Sequence, residues 1–292
     1  MDAREIAERL WPGGVRSLEP LGGGITNRNF RVDVDGEGSV VLRIGGKDTA
    51  LLGIDRHVEH AASRAASALG LGPDVVAFVE PEGYLVTRYV DGVAPSAEEV
   101  RETRLAEIAS ALRRFHDGPP IPGRFDSFRV VEAYAATATM HGVVPPPAFA
   151  EAKALADRIE RARGSQDPCP CHNDLLNANF LDDDGAVRIV DWEYAGMGDR
   201  FFDLANFSIN HECDEDANER LLRAYFGEVR DEDRRSLVLM RFMSDFREAM
   251  WGVVQQAISE LDFDFAAYAD EHFERLQRTA ADPAFVAALA AA

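Results

Sequence analysis

The sequence predicts an α+β chain in two lobes, a small β-rich N-lobe and a larger, mostly helical C-lobe. Three observations carry this. Over the first ninety residues, short apolar-rich runs are separated by glycine-marked turns, as in a strand-rich region. After Asp91-Gly92 the apolar spacing lengthens to the 3.6 residues of a helix. Only one short strand–turn–strand interrupts the helical region. The expected division is 1–90 and 91–292.

Each element has a local reason. Val15–Leu21 reads as a strand that runs into Gly22-Gly23-Gly24. Asn29–Val34 alternates polar and apolar residues, and Asp35-Gly36 with Gly38 turns the chain into a second strand, Ser39–Ile44. Asp55 caps a helix from Arg56 to about Leu69, which Gly70 ends. Pro81-Glu82-Gly83 joins strands Val75–Glu80 and Tyr84–Val90. Residues 89–92 form the link. Ser96 then caps a helix Ala97–His116, with Val100, Leu105, Ile108, Leu112 and Phe115 on its apolar face. Further helices fit Phe128–Met140, Ala148–Arg163, Asp214–Phe226, Asp231–Leu261 and Phe265–Ala281. The strand–turn–strand is Ala178–Leu181, Asp182–Gly185, Val187–Val190. No internal repeat is visible, and Pro145-Pro146-Pro147 is a local loop.

The chain has 292 residues and a formal net charge of −20, with 46% hydrophobic residues. Such length supports a sizeable core. An acidic surface repels phosphate backbones, so nucleic acid is not an expected partner. Any polyanionic ligand needs local positive charge or a metal. No apolar run approaches the roughly 18 residues of a membrane span, and the charged opening Met1–Glu5 lacks an apolar signal core. The odd set Cys169, Cys171 and Cys213 gives no disulfide framework. A cytoplasmic, reducing setting without membrane contact is expected. Oligomeric state is left open, a homodimer included.

The sharpest signal is His172-Asn173-Asp174-Leu175-Leu176-Asn177-Ala178-Asn179, of the form H-x-D-x4-N. Asp191 follows at the end of the apolar run Val187–Val190. Phosphoryl transfer needs these residue types. One carboxylate orients the acceptor hydroxyl and takes its proton, while an amide oxygen and a second carboxylate hold magnesium against the phosphates. Asp174 is therefore the candidate base, and Asn179 and Asp191 the candidate Mg2+ ligands. The plainer reading is a polar turn beside a hairpin. Asp191 after an apolar strand, with a glycine turn upstream in a β-rich half, favours the chemical one. His172 is expected to brace the loop, and Asn177 is a less well spaced substitute for Asn179.

These stretches resemble the choline/ethanolamine kinase family, within the wider aminoglycoside-phosphotransferase-like kinases. The likeness runs through Cys171–Asn179, Ile189–Gly196 and Arg200–Asn206, and upstream through Leu21–Asn27, Val41–Gly45 and Ile54–Glu59. Trp251-Gly252-Val253-Val254-Gln255 and Phe263–Ala269 look like its C-terminal substrate segment. The match spans most of residues 15–275. It implies a protein-kinase-like fold and transfer of the ATP γ-phosphate to the hydroxyl of choline, ethanolamine or a related amino alcohol.

On the nucleotide side, Gly23 and Gly24 followed by Thr26 and Asn27 can bring backbone N–H groups to phosphate oxygens. This is neither a Walker motif nor G-x-G-x-x-G, and alone reads as a flexible turn. The resemblance implies that Arg43 contacts phosphate and that Glu59 orients it. It also implies that the backbone of Arg88, Tyr89 and Val90 meets adenine.

On the acceptor side, the resemblance maps Trp251 and Tyr268 onto aromatic positions of a choline pocket, where ring faces hold a cation. The family's second tryptophan stands here as Glu248, and an expected acidic residue falls on Asn210, near Glu212. Glu248 can neutralise a cationic alcohol and suits an amine with N–H donors at least as well as choline. Trp251 and Tyr268 read equally well as core.

Weaker signals lose to simpler accounts. Cys169, Cys171, His172, His211 and Cys213 lack zinc spacing. Asp182-Asp183-Asp184-Gly185 is a hairpin turn rather than a calcium loop. Asp203 is expected to buttress the catalytic loop, and Glu193 to stand behind it. The rival readings are a kinase for another hydroxylated metabolite or antibiotic (an aminoglycoside, a thiosugar or thiamine) and a non-catalytic nucleotide-binding module.

Overall fold

A computed structural model describes residues 2–22 and 26–291 of the chain. Helix α1, Ala3–Leu10, starts at Asp2, whose N–H is held by Glu5 at 3.0 Å. Strands β1 (Val15–Leu21), β2 (Asn27–Val34) and β3 (Gly38–Gly45) follow. After helix α2 (Arg56–Ala68) come β4 (Val75–Val79) and β5 (Tyr84–Arg88). All neighbouring strands pair antiparallel, in the order β1-β2-β3-β5-β4. Alternation places Val32, Val34, Val40, Leu42 and Val86 on one face of the sheet, where they bury against Ile6 and Ala7 of α1.

The remainder is mostly helical. Helix α3 (Ala97–Glu99) passes through a π-helical stretch, Val100–Arg104, into α4 (Leu105–His116). Helices α5 (Ser127–Met140) and α6 (Ala148–Arg163) follow. Then come β6 (Cys169–Cys171), the hairpin β7 (Phe180–Asp183) and β8 (Ala186–Ile189), and β9 (Gly196–Gly198), which pairs with β6. Asp184 and Gly185, at φ 51° and 87°, make the two-residue turn of the hairpin. Helices α7 (Arg200–Asn210), α8 (Glu215–Phe226), α9 (Asp231–Ile258), α10 (Phe265–Ala281) and α11 (Pro283–Ala290) complete the chain. Among the described residues, no helix is long and apolar enough to cross a membrane.

A sheet region followed by a mostly helical region is the expected architecture, and two details of packing differ. Ala62 and Ala66 of α2 join the large core of the helical region rather than the core beneath the sheet. The expected single helix Ala97–His116 is broken by its π-helical stretch. Three helices and two strands give little sequence signal. Helix α7 buries nine of its eleven residues and so has no amphipathic stripe. Helices α1 and α11 have eight residues each, and β6 and β9 three.

Candidate active site

The loop between β6 and β7 is fixed from behind. Buried Asp203 of α7 accepts the backbone N–H of His172 at 2.8 Å and of Asn173 at 2.6 Å, and meets His116 Nε2 at 3.0 Å. Burial alone would raise the Asp203 carboxyl. The hydrogen bond and charge of His116 and the backbone N–H of His172 outweigh it and hold the group below its ordinary range. His172 Nε2 meets the Val190 carbonyl at 3.0 Å, and its Nδ1 accepts the Asp174 N–H at 3.2 Å. Burial lowers the His172 pKa and keeps the ring neutral, so Nε2–H is the donor in this pairing. Cys171 lies in a buried trio with His116 and Asp203. Both nitrogens of His116 are already hydrogen-bonded, to Asp203 and to Tyr225, so the trio reads as the brace of this loop.

Asn179 Nδ2 donates to the Asp174 carbonyl at 2.8 Å, which leaves its amide oxygen as the uncommitted end. The Val190 N–H donates to the Asn179 carbonyl at 2.9 Å, which ties Asp191 beside it. Asp191 has φ 65°, an uncommon left-handed conformation that kinks the chain as it leaves β8. Asp174, Asn179 and Asp191 are thus gathered by a few short bonds. Asn179 and Asp191 line a cleft of about 300 Å³ between the sheet and the helical region. Its other walls include Leu21, Val41 and Leu85 from the sheet, and Leu181 opposite.

Arg43 of β3 crosses this cleft. Its Nη1 donates to Glu59 of α2 at 2.9 Å and also to Asp191. Burial opposes its charge, yet Asp191, Glu59 and Glu193 together raise its pKa above the usual arginine value. Burial pushes Asp191 up, but Arg43 holds it below the ordinary carboxylate range. Arg56 Nη1, one turn from Glu59, reaches that carboxylate at 2.6 Å and Glu193 at 3.3 Å.

Gly23 and Gly24 lie outside the described residues. The side chains of Thr26 and Asn27 donate to buried Glu193, at 2.6 and 2.8 Å. Burial and the charge of Asp191 raise Glu193 to about 7, and these two donors satisfy its oxygens. Gly22 and Asn29 line the cleft instead. At the link, Arg88, Tyr89 and Val90 all border the cleft. The Arg88 N–H is taken by the Asp74 carbonyl and the Tyr89 N–H by the Ser39 carbonyl, at 2.8 and 3.1 Å. Among the described residues, the Val90 N–H has no backbone partner. The Arg88 side chain turns outward to Glu37 at 2.9 Å, and the Tyr89 ring carries the Arg31 guanidinium.

The acceptor side departs furthest from the sequence reading. Glu248 of α9 does not stand free for a cation: Arg247 Nη1 donates to its Oε1, and Tyr268 OH donates to its Oε2 at 3.0 Å. The same Arg247 nitrogen lies 3.4 Å from Asp174 Oδ1. The guanidinium also stacks on the Tyr194 ring, 4.4 Å from its centre, while Trp251 Nε1 donates to Tyr194 OH at 3.0 Å. Trp251 meets the Tyr268 ring edge to face at 5.5 Å. Gly252 permits this crossing, because a Cβ there would lie 3.0 Å from Tyr268 Cδ1 and from Ala269 Cβ. Asn210 instead holds the Leu175 carbonyl at 3.2 Å. Burial raises the Asp174 carboxyl to about 8, with Arg247 pulling it down and Glu248 pushing it up.

Sequence reasoning missed Arg247, Arg56 and Tyr194 as site residues. An arginine between Phe246 and the Met250-Trp251 pair, inside a buried helical stretch, was the available signal for the first. Arg56 stands three residues before Glu59, the spacing of neighbours on one helix face.

Comparison with known proteins identifies the family. The profile of the "Phosphotransferase enzyme family" matches residues 17–238. A solved choline/ethanolamine kinase family protein from Mesorhizobium loti superposes with TM-score 0.82 at 34% identity, covering 96% of this chain and 93% of that one. The choline kinase LicA from Streptococcus pneumoniae superposes with TM-score 0.81 at 23% identity, covering 94% of this chain and 98% of that one, a likeness of fold. Ethanolamine kinase 2 of Rattus norvegicus is 27% identical over 305 residues, 93% of this chain and 78% of the relative. With its catalytic-type loop, its cleft and these relatives, the chain belongs to the phosphotransferase enzyme family, in its choline/ethanolamine kinase branch.

Proposed function

We propose that this protein is an ATP- and magnesium-dependent kinase that phosphorylates the hydroxyl of a small amino alcohol of the choline and ethanolamine kind. The observation that carries the reading is the gathering of Asp174, Asn179 and Asp191 beside a cleft that Arg43 enters from the opposite sheet. A solved LicA complex with AMP, from a structural relative at TM-score 0.79, supports nucleotide use on this fold. On this reading residues 1–90 serve mainly the nucleotide and 91–292 mainly the acceptor, with adenine against Arg88–Val90.

The residues suit a hard cation. The Asn179 amide oxygen and the Asp191 carboxylate are oxygen donors on one cleft wall, and Asn179 is already oriented by its bond to Asp174. Bound there, magnesium would offset charge on the transferring phosphate and the leaving oxygen. The chain's own groups do the rest. Arg43, held by Glu59, presents a fixed positive charge to the nucleotide phosphates. Asp174 orients the acceptor hydroxyl and receives its proton at a carboxylate oxygen. Its carboxyl, raised by burial to about 8, is poised for that transfer near neutral pH. His172 and Asp203 keep the loop in place.

The test is ATP consumption with choline, ethanolamine and other hydroxylated metabolites. Turnover with an amino alcohol is expected. Asp174→Ala is expected to lower kcat by roughly 10³-fold, within the usual range for loss of a general base, with ATP binding retained. Undiminished turnover in that variant removes Asp174 from the base role.

A further inference from the structure

The three cysteines sit in two different settings. Cys213 belongs to the large hydrophobic core, and burial pushes its thiol up to about 11. Cys169 and Cys171 are buried outside both hydrophobic cores, near the polar groups of His116, Arg200 and Asp203. They are the first and last residues of β6, so the pleat sends both side chains to the same face. Their Sγ atoms lie 3.7 Å apart, in contact and unbonded. The phosphotransfer chemistry described above uses neither thiol.

The pair divides the work of a redox couple. The hydrogen bond with Cys171 holds the Cys169 thiol down at about 7, with burial opposing it and the charges of His116 and Arg200 assisting. Burial and the neighbouring Cys169 raise the Cys171 thiol. The thiolate is the nucleophilic form, so Cys169 is placed to react first and Cys171 to resolve. Pro168, just before Cys169, and Gly198, its partner across the strand pair, line a cavity of about 500 Å³. Solvent therefore reaches the strand at the Cys169 end.

We propose that Cys169 and Cys171 are a reversible oxidation site, which a small peroxide closes to a disulfide that disarms the adjoining catalytic-type loop. The Cys169 thiolate attacks one peroxide oxygen and the O–O bond breaks. Hydroxide leaves and takes up the proton that Cys169 gave up, forming water. Cys171 then attacks the sulfenic sulfur, the S–S bond forms and the S–O bond breaks. The second hydroxide leaves with the Cys171 proton as water. Two electrons pass from the sulfurs to peroxide, and a dithiol reductant returns them.

The strand decides what closure does. Same-face neighbours on a strand have Cα atoms roughly 6.6 Å apart, against about 5.5–6 Å for most disulfides. Closure therefore shortens β6. Cys171 runs directly into His172 and Asn173, whose N–H groups are held by Asp203. Shortening β6 draws them off that carboxylate and moves Asp174 with them. A displacement of about 1 Å is enough to lower turnover on the order of a hundredfold. This link from disulfide to turnover rests on the proposed kinase reading, and the oxidation site itself does not.

The experiment treats the full-length protein with hydrogen peroxide in modest molar excess, then reads peptide masses and ATP turnover with choline and ethanolamine. A Cys169–Cys171 cross-link, lighter by two hydrogens, is expected, with Cys213 left as a free thiol. kcat is expected to fall at least tenfold with the KM for ATP within about twofold, and dithiothreitol is expected to restore it. Cys169→Ala is expected to keep basal turnover and to lose none of it to peroxide. If that variant fails to fold, the peptide masses and kcat of the unaltered protein decide. Sulfinic or sulfonic acid at Cys169 without the cross-link overturns the proposal, as do two thiols that stay reduced. A cross-link that leaves kcat unchanged overturns it as well. Absence of turnover before any peroxide removes the kinase reading, while the mapped cross-link still decides the oxidation site.

Discussion

Arg43 and Arg247 answer the same electrostatic problem on the two sides of the site. Each places one nitrogen between a catalytic-type aspartate and a buried glutamate: Asp191 and Glu59 for the first, Asp174 and Glu248 for the second. They differ in what surrounds them. The Arg43 side chain is 13% exposed and borders the cleft, and its glutamate has a second cation, Arg56. The Arg247 side chain is 2% exposed, and among the described residues its glutamate has only a tyrosine hydroxyl besides. The first pair borders the open cleft. The second is closed inside protein, where every unmatched hydrogen-bonding atom costs more.

The contrast is sharpest in stability. Arg247→Met is expected to destabilise by about 3–5 kcal/mol, because it leaves Glu248 buried with one neutral donor. Arg43→Met is expected to cost about 1–3 kcal/mol, since Arg56 still holds Glu59. It should instead raise the KM for ATP. Urea-unfolding midpoints and ATP kinetics of the two variants read both effects, and equal unfolding shifts break the comparison.

A second test uses pH. The Asp174 carboxyl is raised in the folded chain to about 8, chiefly by burial. As a base it must be ionised, so kcat is expected to rise roughly tenfold or more from pH 6 to pH 8. Stability runs the other way. A carboxyl raised on folding favours the folded state fully below its unfolded value of about 4, and that advantage is lost as pH climbs through about 8. Against the Asp174→Asn variant, the protein should therefore weaken between those limits. Parallel stability curves for the two proteins contradict the raised value.

The smallest effect belongs to Tyr268→Phe, which deletes one donor to Glu248. A loss of about 1 kcal/mol in acceptor kcat/KM, without change in the KM for ATP, is expected. A change on the ATP side instead would show that the two arginine clusters are not separate.

What was legible in the sequence was what lies close along the chain. His172, Asp174, Asn179 and Asp191 fall within twenty residues, and the chemistry they support fixes their types. Arg43 with Glu59 was legible only through family resemblance, since strand and helix are apart in sequence. The Thr26 and Asn27 side-chain bonds were not legible, because nothing local reveals a partner, Glu193, more than 160 residues later. Arg247 was passed over because an arginine in a helix is ordinarily at the surface, and only the packing of α9 against α5, α7 and α10 closes it in. Helix α7 was unrecognised for the opposite reason: burial on all sides erases the periodicity that marks a helix.

The Thr26 and Asn27 bonds to Glu193, with Arg43 on Asp191, fasten the sheet to the helical region. Helix α2, anchored in the larger core, supplies the other half of the clasp through Glu59 and Arg56. On the proposed kinase reading, a polyphosphate entering beside Arg43 would compete for the arginines of that clasp. Nucleotide arrival and the spacing of the two halves are then one coupled equilibrium, and a change in the radius of gyration on adding nucleotide is its direct sign.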